Sequence, residues 1–255
     1  MERSRIVVVT AGGPHVWAIV NAIQDRLGAV IVVLEGPEPK RRLLMRRARK
    51  LGWIEVAGQL GTMVFTRLRK LFLSHRDQQG LAGEGMVMNP RFDQRIVNVA
   101  SADSPELAEV ITQMQAKVVL LAGCRLLSKP TLAAIHCPVL NYHAGITPKY
   151  RGMNGGYWAL ATGDTGNFGA TVHLVDAGVD TGDVLHQVRG RPQPGDNLTN
   201  YALRLAALSR DICIRSVDDA LAARLAPIKS DMPSKQWYHP TIWFYLWTGL
   251  TKGVW

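Results

Sequence analysis

Residues 5–34 read RIVVVTAGGPHVWAIVNAIQDRLGAVIVVL, in which two β-branched apolar runs enclose a glycine turn and a helix-like segment. The runs at 5–10 and 29–34 are almost entirely apolar, as expected of strands buried on both faces of a parallel sheet. Gly12 and Gly13 end the first run, and apolar residues then recur at helical spacing as far as Leu27. A strand, a turn, a helix and a strand in this order predict a right-handed βαβ unit.

The same alternation continues as far as residue 145. Apolar runs predict strands at 95–99, 117–122 and 138–142, and a helix at 101–115. We therefore predict an α/β fold, a Rossmann-like open and mostly parallel sheet with helices on both faces, with three or four parallel strands before residue 145. Polar residues follow these strands at their carboxyl ends, the edge where open α/β sheets bind ligands.

The chain beyond residue 145 follows a different pattern. A loop at 147–156 precedes a short helix at 157–161, strands at 169–175 and 184–189, and a long amphipathic helix at 197–225. Residues 237–255 hold four of the seven tryptophans, so we predict a helical, aromatic-rich C-terminal extension. We divide the chain into a first domain at 1–192, with a basic insert at about 39–94, and an extension at 193–255 that packs on it.

The composition excludes several classes of protein. The 255 residues are 47% hydrophobic and 20% charged, which suffices for a buried core and differs from a disordered chain. The longest uncharged apolar run, 118–124, is too short to cross a bilayer, and we expect no secretory signal in the first residues. Three cysteines without metal-ligand spacing argue against a disulfide scaffold or a zinc site, and favour a reduced, cytoplasmic compartment.

The net charge of +10 is concentrated in one segment. Residues 39–76 hold eleven Lys or Arg and a single acid, Glu55, so this segment alone carries the whole excess. Its pattern predicts helices at 41–50 and 61–73, followed by a loop at 75–94. The rest of the chain is neutral, so the charge belongs to an insert after the second strand.

Asn141 and His143 lie two residues apart at the end of a predicted buried strand, so their side chains leave the same face. An amide donor therefore stands beside a titratable imidazole. A lone histidine in such a place is more often a hydrogen-bonded structural residue, and an asparagine there can cap a turn. The surrounding sequence favours a chemical role instead.

Four blocks of sequence occur in order around these two residues. Residues 119–128 read VLLAGCRLLS, 141–152 read NYHAGITPKYRG, 163–165 read GDT and 175–183 read VDAGVDTGD. Their combination resembles the folate-dependent formyltransferase family, which includes glycinamide ribonucleotide, methionyl-tRNA and nucleotide-sugar N-formyltransferases. The resemblance covers about 95–190, whereas 1–35 match only as a strand, a glycine turn and a helix.

The resemblance implies the formyltransferase fold, with 1–192 as the catalytic domain. It implies formyl transfer from 10-formyltetrahydrofolate to a primary amine, without a metal. In that reaction Asn141 would donate its amide to the oxyanion, and His143 would donate as well and relay a proton. Asp180 would orient His143 and favour its charged form.

Further residues are weaker candidates. The resemblance assigns folate contacts to Arg125, Leu127, Asp176 and Gly178. A salt-bridging role for Arg125 stays open. A metal site built from Asp176, Asp180, Asp183 and His173 has no diagnostic spacing, and His173 defaults to a structural role.

Substrate contacts are predicted at two further places. Gly12 and Gly13 could bind a substrate phosphate through backbone amides at a helix N-terminus, although a glycine pair also makes a plain tight turn. Arg151 is a candidate for substrate binding, with ordering of its own loop as the alternative.

The acceptor amine is chosen by elimination. Residues 11–15 read AGGPH, unlike the glycine-rich phosphate loop of the glycinamide ribonucleotide type. Only about 65 residues follow Arg189, fewer than the C-terminal barrel that the methionyl-tRNA type carries by resemblance. We therefore predict an amino-sugar nucleotide as the acceptor, and the other two types remain the alternatives.

A second class of function is a binding protein that uses the basic segment. Basic residues mixed with Leu, Met and Phe at 39–76, together with the aromatic tail, are typical of interfacial membrane helices. Few aromatics lie among the cations, so RNA binding is disfavoured. Charge runs are usually solvated helix faces, and aromatic tails usually pack on a core or a dimer partner. We thus predict a cytoplasmic protein, with peripheral contact at the inner membrane surface and a homodimer as alternatives.

Overall fold

The computed structural model describes residues 5–73 and 85–255. Seven strands form one sheet in the order β3-β2-β1-β4-β5-β7-β8. The strands are β1 (Ile6–Thr10), β2 (Val30–Glu35), β3 (Arg95–Val99), β4 (Val118–Ala122), β5 (Val139–His143), β7 (Gly169–Leu174) and β8 (Val184–Arg189). Strands β1 to β5 run parallel, whereas β7 pairs antiparallel with both β5 and β8. The predicted mostly parallel α/β sheet is confirmed, with five rather than three or four parallel strands before residue 145.

Helices cover both faces of this sheet, because alternate residues of its central strands are apolar on both sides. Ile6 and Val8 of β1 belong to one hydrophobic cluster, which also contains residues of α1 (Pro14–Leu27) and α7 (Tyr201–Leu221). Val7 and Val9 belong to a second cluster with residues of α4 (Pro105–Gln113) and α5 (Lys129–Ala133). The result is a three-layer α/β/α arrangement.

The basic insert forms a helical hairpin. Its helices are α2 (Lys40–Leu51) and α3 (Trp53–Leu73), separated by Gly52, whose φ of 86° ends α2. The second helix begins eight residues earlier than predicted. Gly58 and Gly61 lower the helix propensity of this part, but they lie against α8 (Ile242–Lys252), where a larger side chain would not fit. Of the predicted loop at 75–94, residues 75–84 lie outside the described residues.

The C-terminal extension returns to the sheet and to the insert. The long helix α7 packs across α1 and the strands β7 and β8. It is shorter than the predicted 197–225, since Asn197 and Thr199 make a hydrogen-bonded turn before it. The extension then adds β9 (Gln236–Trp237), which pairs with β6 (Arg151–Gly152), and ends in α8. No described helix is both long and apolar enough to cross a membrane.

Other bounds differ by a few residues from the predictions. The helix predicted at 101–115 spans Pro105–Gln113, because Ser104 stands in an extended N-cap position before Pro105. The short helix predicted at 157–161 is α6 (Gly155–Ala161), which begins after Asn154 in the left-handed conformation.

Candidate active site

The carboxyl end of β5 presents Asn141 and His143 toward the antiparallel strand β7. Strand pairing sets Asn141 directly opposite His173. Nδ2 of Asn141 lies 3.0 Å from Nε2 of His173, while Nδ1 of His173 lies 2.6 Å from the carbonyl oxygen of Leu174. A carbonyl oxygen only accepts hydrogen bonds, so Nδ1 of His173 donates and its Nε2 is assigned as the acceptor from Asn141.

Asp180 reaches these strands from the loop between β7 and β8. Nδ2 of Asn141 donates to Oδ1 of Asp180 over 3.0 Å. The other carboxylate oxygen, Oδ2, lies 3.4 Å from Nδ1 of His143 and accepts a 2.8 Å hydrogen bond from the backbone N–H of Gly152. Asn141, His143 and Asp180, which the sequence predicts as a group, therefore lie together.

Asp180 is held as an anion. Burial opposes its charge, but the ring of His143 and the N–H of Gly152 outweigh that effect and lower the pKa of Asp180 far below its ordinary value. The side chain is only 12% exposed, so this negative charge lies in a largely desolvated site. It provides a fixed partner for a protonated imidazole.

The loop that carries Asp180 is tied to the loop after β5. Asp180 has a φ of 49°, a left-handed conformation that aspartate tolerates better than most residues. Arg151 donates from Nη1 to the carbonyl oxygen of Val179 over 2.7 Å and from Nε to Oγ of Ser234. These bonds, together with that of Gly152, fix the carboxylate against the end of β5.

His143 is fixed from its other side by Tyr150. Nε2 of His143 donates to the carbonyl oxygen of Tyr150 over 2.6 Å. The imidazole thus lies between that carbonyl and Asp180, and a ring protonated on both nitrogens satisfies both acceptors. Gly145 makes room for this contact, because a Cβ at this position would lie 2.7 Å from Nε2 of His143 and 2.6 Å from the oxygen of Tyr150.

A family model described as formyl transferase matches residues 4–217. The chain belongs to the formyl transferase family.

The first curated relatives that this family member matches carry the name methionyl-tRNA formyltransferase. The chain is 29% identical over 128 residues to a methionyl-tRNA formyltransferase of Solibacter usitatus (strain Ellin6076), a match covering 50% of this chain and 41% of the relative. The chain spans less than half the length of the first curated relatives that it matches.

Solved structures of the family share the fold. Glycinamide ribonucleotide transformylase 1 from Symbiobacterium toebii has a TM-score of 0.56 at 21% identity, covering 90% of this chain and 96% of its own. The formyltransferase PseJ from Anoxybacillus kamchatkensis, solved with UDP-4,6-dideoxy-4-formamido-L-AltNAc and tetrahydrofolate, has a TM-score of 0.51 at 15% identity, covering 87% and 92%.

In this formyl transferase family member, Arg125 is engaged by a buried carboxylate. Its backbone N–H and Nε donate to the two oxygens of Glu35, each over 2.7 Å. Nη2 donates to the carbonyl oxygens of Gly36 and Ala100. The side chain thereby ties together the carboxyl ends of β2, β3 and β4, which is the salt-bridging alternative rather than an open folate contact.

The side chain of Leu127 is buried, whereas Asp176 and Gly178 lie at the surface. The side chain of Leu127 is buried in the second hydrophobic cluster, so only its backbone is left for a ligand. Oδ1 of Asp176 accepts from the N–H of Gly178 and from Oγ1 of Thr181. Asp176 and Gly178 shape the loop that delivers Asp180, and both are exposed or half-buried at its surface.

Gly12 and Gly13 lie where the strand order changes direction. β1 stands between β2 and β4, so the turn after it faces a crevice between β1 and β4, the usual ligand site of such sheets. The N–H of Gly12 donates to Oγ1 of Thr10, and Gly13 has a φ of 110° and caps α1. Both glycines therefore make the tight turn.

The histidine to which the sequence assigned only a structural role, and which lies in the site, is His173. It is 2% exposed and contacts both Asn141 and Asp180. The signal that could have found it is the antiparallel pairing of β5 with β7, which sets residue 173 across from residue 141. Within 5–73 and 85–255, no group of three or more His, Cys, Asp or Glu side chains is arranged to hold a metal ion.

Proposed function

We propose that this chain transfers a formyl group from 10-formyltetrahydrofolate to a primary amine. The observation that carries the proposal is the shared hydrogen bonding of Asn141, His143 and Asp180 at the carboxyl edge of the sheet. Acyl transfer develops negative charge on an oxygen and releases a proton from the amine, so it needs a donor and a proton carrier side by side.

When bound, 10-formyltetrahydrofolate would supply the formyl carbon that the amine attacks, and the bond from that carbon to N10 would break. Asn141 would turn one of its two amide hydrogens from Asp180 or His173 to the formyl oxygen, which gains negative charge. His143, whose Nε2–H is bonded to the carbonyl oxygen of Tyr150, would accept the proton of the amine at Nδ1 and pass it to N10, and Asp180 would stabilise the imidazolium. The folate site fits the surroundings, since the side chain of Leu126 is 61% exposed beside the end of β4 and offers apolar surface to a pteridine.

Three further parts of the proposal concern the folate and substrate contacts. The backbone at Leu127 and the loop of Asp176 and Gly178 contact the folate. Arg151 acts on substrate only by holding the Asp180 loop. The crevice beside Gly12 and Gly13 takes the acceptor, whose phosphate would meet the N-terminus of α1.

Our first choice for the acceptor is an amino-sugar nucleotide. The support is the segment AGGPH at 11–15, which differs from the glycine-rich phosphate loop of the glycinamide ribonucleotide type, together with the fold shared with PseJ. Methionyl-tRNA is the second candidate, because the curated relative from Solibacter usitatus carries that name. A glycinamide ribonucleotide acceptor is the third. The division into 1–192 and 193–255, the cytoplasmic location and the homodimer remain predictions.

The experiment is a formyl-transfer assay of the purified chain with 10-formyltetrahydrofolate and a panel of amino-sugar nucleotides, glycinamide ribonucleotide and methionyl-tRNA. We expect turnover with one acceptor. Each of N141A, H143A and D180A should lower the rate roughly 100- to 1,000-fold with unchanged circular dichroism. The exposed histidine variant H136A serves as control and should keep wild-type activity.

Two results would overturn the proposal. One is wild-type turnover in any of the three variants, which would remove that residue from the mechanism. The other is failure of the protein to bind any reduced folate, measured by calorimetry, which would contradict formyl transfer altogether and favour a binding protein that uses residues 39–76.

A further inference from the structure

Helix α3 buries several polar side chains and exposes several large apolar ones, unlike an ordinary surface helix. The side chains that it buries include three polar ones, Gln59, Thr62 and Thr66. Oγ1 of Thr62 donates to the carbonyl oxygen of Pro240, which ties the helix to the C-terminal extension. A surface helix normally buries apolar residues and exposes polar ones.

The outer face of α3 is a continuous apolar stripe. Exposed apolar residues recur along it at spacings of seven, four and four residues, from the tip of the hairpin toward the end of the helix. They are Trp53 at 62%, Leu60 at 39%, Val64 at 58% and Leu68 at 50% exposed, flanked by Ile54 at 78% and Met63 at 43%. Residues spaced in this way share one face.

Helix α8 also exposes large apolar side chains, although it buries Tyr245 in the core. Trp243, Trp247 and Leu250 recur at four- and three-residue spacing and are 50%, 50% and 79% exposed. The inward side of the helix carries Thr248 and Gly249, which are buried. Two large indole side chains are thus half exposed to solvent.

The two stripes meet where α8 crosses α3. The ring of Trp243 lies directly over Gly58, since a Cβ there would come within 2.3 Å of it. Ile54 precedes Gly58 by one helical turn and is exposed beside this contact. The exposed residues of α3 and α8 therefore form one surface, here called the apolar face. Apolar patches on this scale mark interaction sites.

The hairpin of α2 and α3 also carries exposed cations. Arg41, Arg49 and Lys50 of α2 and Arg67 of α3 are exposed. In the described ranges none of these four makes a salt bridge, and Lys50 lies over the ring of Tyr238. Arginine and lysine beside exposed tryptophan and leucine are the composition of helices that lie in the headgroup region of a membrane.

We propose that the apolar face docks on an anionic lipid bilayer. The indoles and aliphatic side chains would enter the interface, and the exposed cations of the hairpin would meet the lipid phosphates. A second copy of this chain fits the face less well, because its own basic hairpin would bring like charge against like charge.

The proposal is tested by flotation of the purified full chain with vesicles. We expect binding to phosphatidylcholine vesicles that contain about a third phosphatidylglycerol, and at least tenfold weaker binding to phosphatidylcholine alone. The double variant W53E/W247E should lose at least tenfold of the binding to anionic vesicles. Both positions are half-exposed or more, and circular dichroism checks that the variant is folded. F92E, which changes a fully exposed aromatic outside this face, should bind as wild type does.

Three results would overturn the docking proposal. The first is absence of wild-type binding to anionic vesicles at low salt. The second is equal binding by wild type and W53E/W247E, which would leave the apolar face without a role. The third is a stable dimer in solution that W53E/W247E dissociates, which would mean that a second copy covers the face.

Discussion

At the scale of single residues, Asp180 links parts of the chain that are far apart in sequence. Its two oxygens contact Asn141 and His143 on β5 and the backbone of Gly152. A left-handed backbone and the bond from Arg151 to Val179 hold it there. One carboxylate therefore orients both the proposed oxyanion donor and the proposed proton carrier.

The pH dependence of the free energy of unfolding should reveal that Asp180 is charged in the folded protein. The pKa of Asp180 is lower in the folded protein than in the unfolded chain, so folding favours the anion. Its contribution to the free energy of unfolding is complete above the ordinary aspartate pKa of about 4 and is lost as the pH falls through the lower folded value. D180N should therefore be less stable than wild type at pH 7, and the difference should shrink on acidification below about pH 4.

Urea unfolding of both proteins at pH 7 and at pH 3 measures this difference. An exposed substitution, D211N, controls for the general effect of removing a negative charge. A stability difference between D180N and wild type that stays constant with pH would contradict the assigned charge state.

Gly145 should be intolerant of even one added methyl group. In G145A the new Cβ would collide with Nε2 of His143 and with the backbone of Tyr150. We expect a loss of about 1–3 kcal/mol in stability, the usual cost of overpacking, and a loss of activity larger than the stability change explains. G166A is the matched control, since nothing lies within 4 Å of a Cβ there. A fully active G145A would mean that His143 can work from another position.

At the scale of elements, the small pair β6–β9 joins the site to the C-terminal extension. The ring of Trp237 in β9 stacks on Trp158 of α6 at 4.4 Å between centroids, and its Nε1 donates to the carbonyl oxygen of Lys149. The N–H of Met153 donates to the backbone oxygen of Trp237. The loop that carries Arg151 and Gly152 is thus held in place by a distant part of the chain.

Removal of the Trp237 ring should loosen this loop. We expect W237A to lose about 2–3 kcal/mol, less than the 3–5 kcal/mol of a fully buried aromatic, because Trp237 is only half-buried. Formyl transfer should fall as well, since Gly152 would no longer hold Asp180 firmly. The measurements are thermal unfolding and turnover, with W53A as an exposed control. Unchanged turnover in W237A would separate β9 from the site.

Local sequence was sufficient to predict the central strands, but it was insufficient to predict contacts between residues that lie far apart in the sequence. Apolar runs predict β1, β2 and β4 because these strands are buried on both faces. The true start of α3 depends on Gly58 packing under Trp243, 185 positions later, which no window of sequence contains. The pairing of His173 with Asn141 likewise depends on strand order, and the bond from Arg125 to Glu35 depends on three strands ending at one edge.

At the scale of the whole molecule, both parts of the chain share one core. The hydrophobic cluster on one face of the sheet contains Val8 and Tyr157 from the first 192 residues, and Leu205, Ile212 and Tyr245 from the remainder. Residue 192 therefore divides the sequence into two parts, but both parts contribute to the same hydrophobic core. Each part leaves apolar surface exposed without the other.

Truncation after residue 192 should consequently prevent folding. Loss of α7 would uncover α1 and the strands β7 and β8, an apolar area too large for a soluble monomer. The full chain should unfold in one transition, with coincident curves by far-UV and near-UV circular dichroism. A soluble 1–192 fragment with cooperative unfolding would show that the extension is an independent unit.

The two-residue pairing of β6 with β9 is the part of the site that opens most easily. Strands β4 and β5 lie in the middle of the seven-stranded sheet, whereas the pair β6–β9 is held by a few backbone bonds near the surface. Short pairs of this kind open by local fluctuation at far lower free energy than global unfolding. Amide hydrogens at Arg151 and Met153 would therefore exchange with deuterium well before those of the central strands. Each opening would release Asp180 from Gly152 for a moment, so this carboxylate would be ordered only as long as the C-terminal strand stays paired.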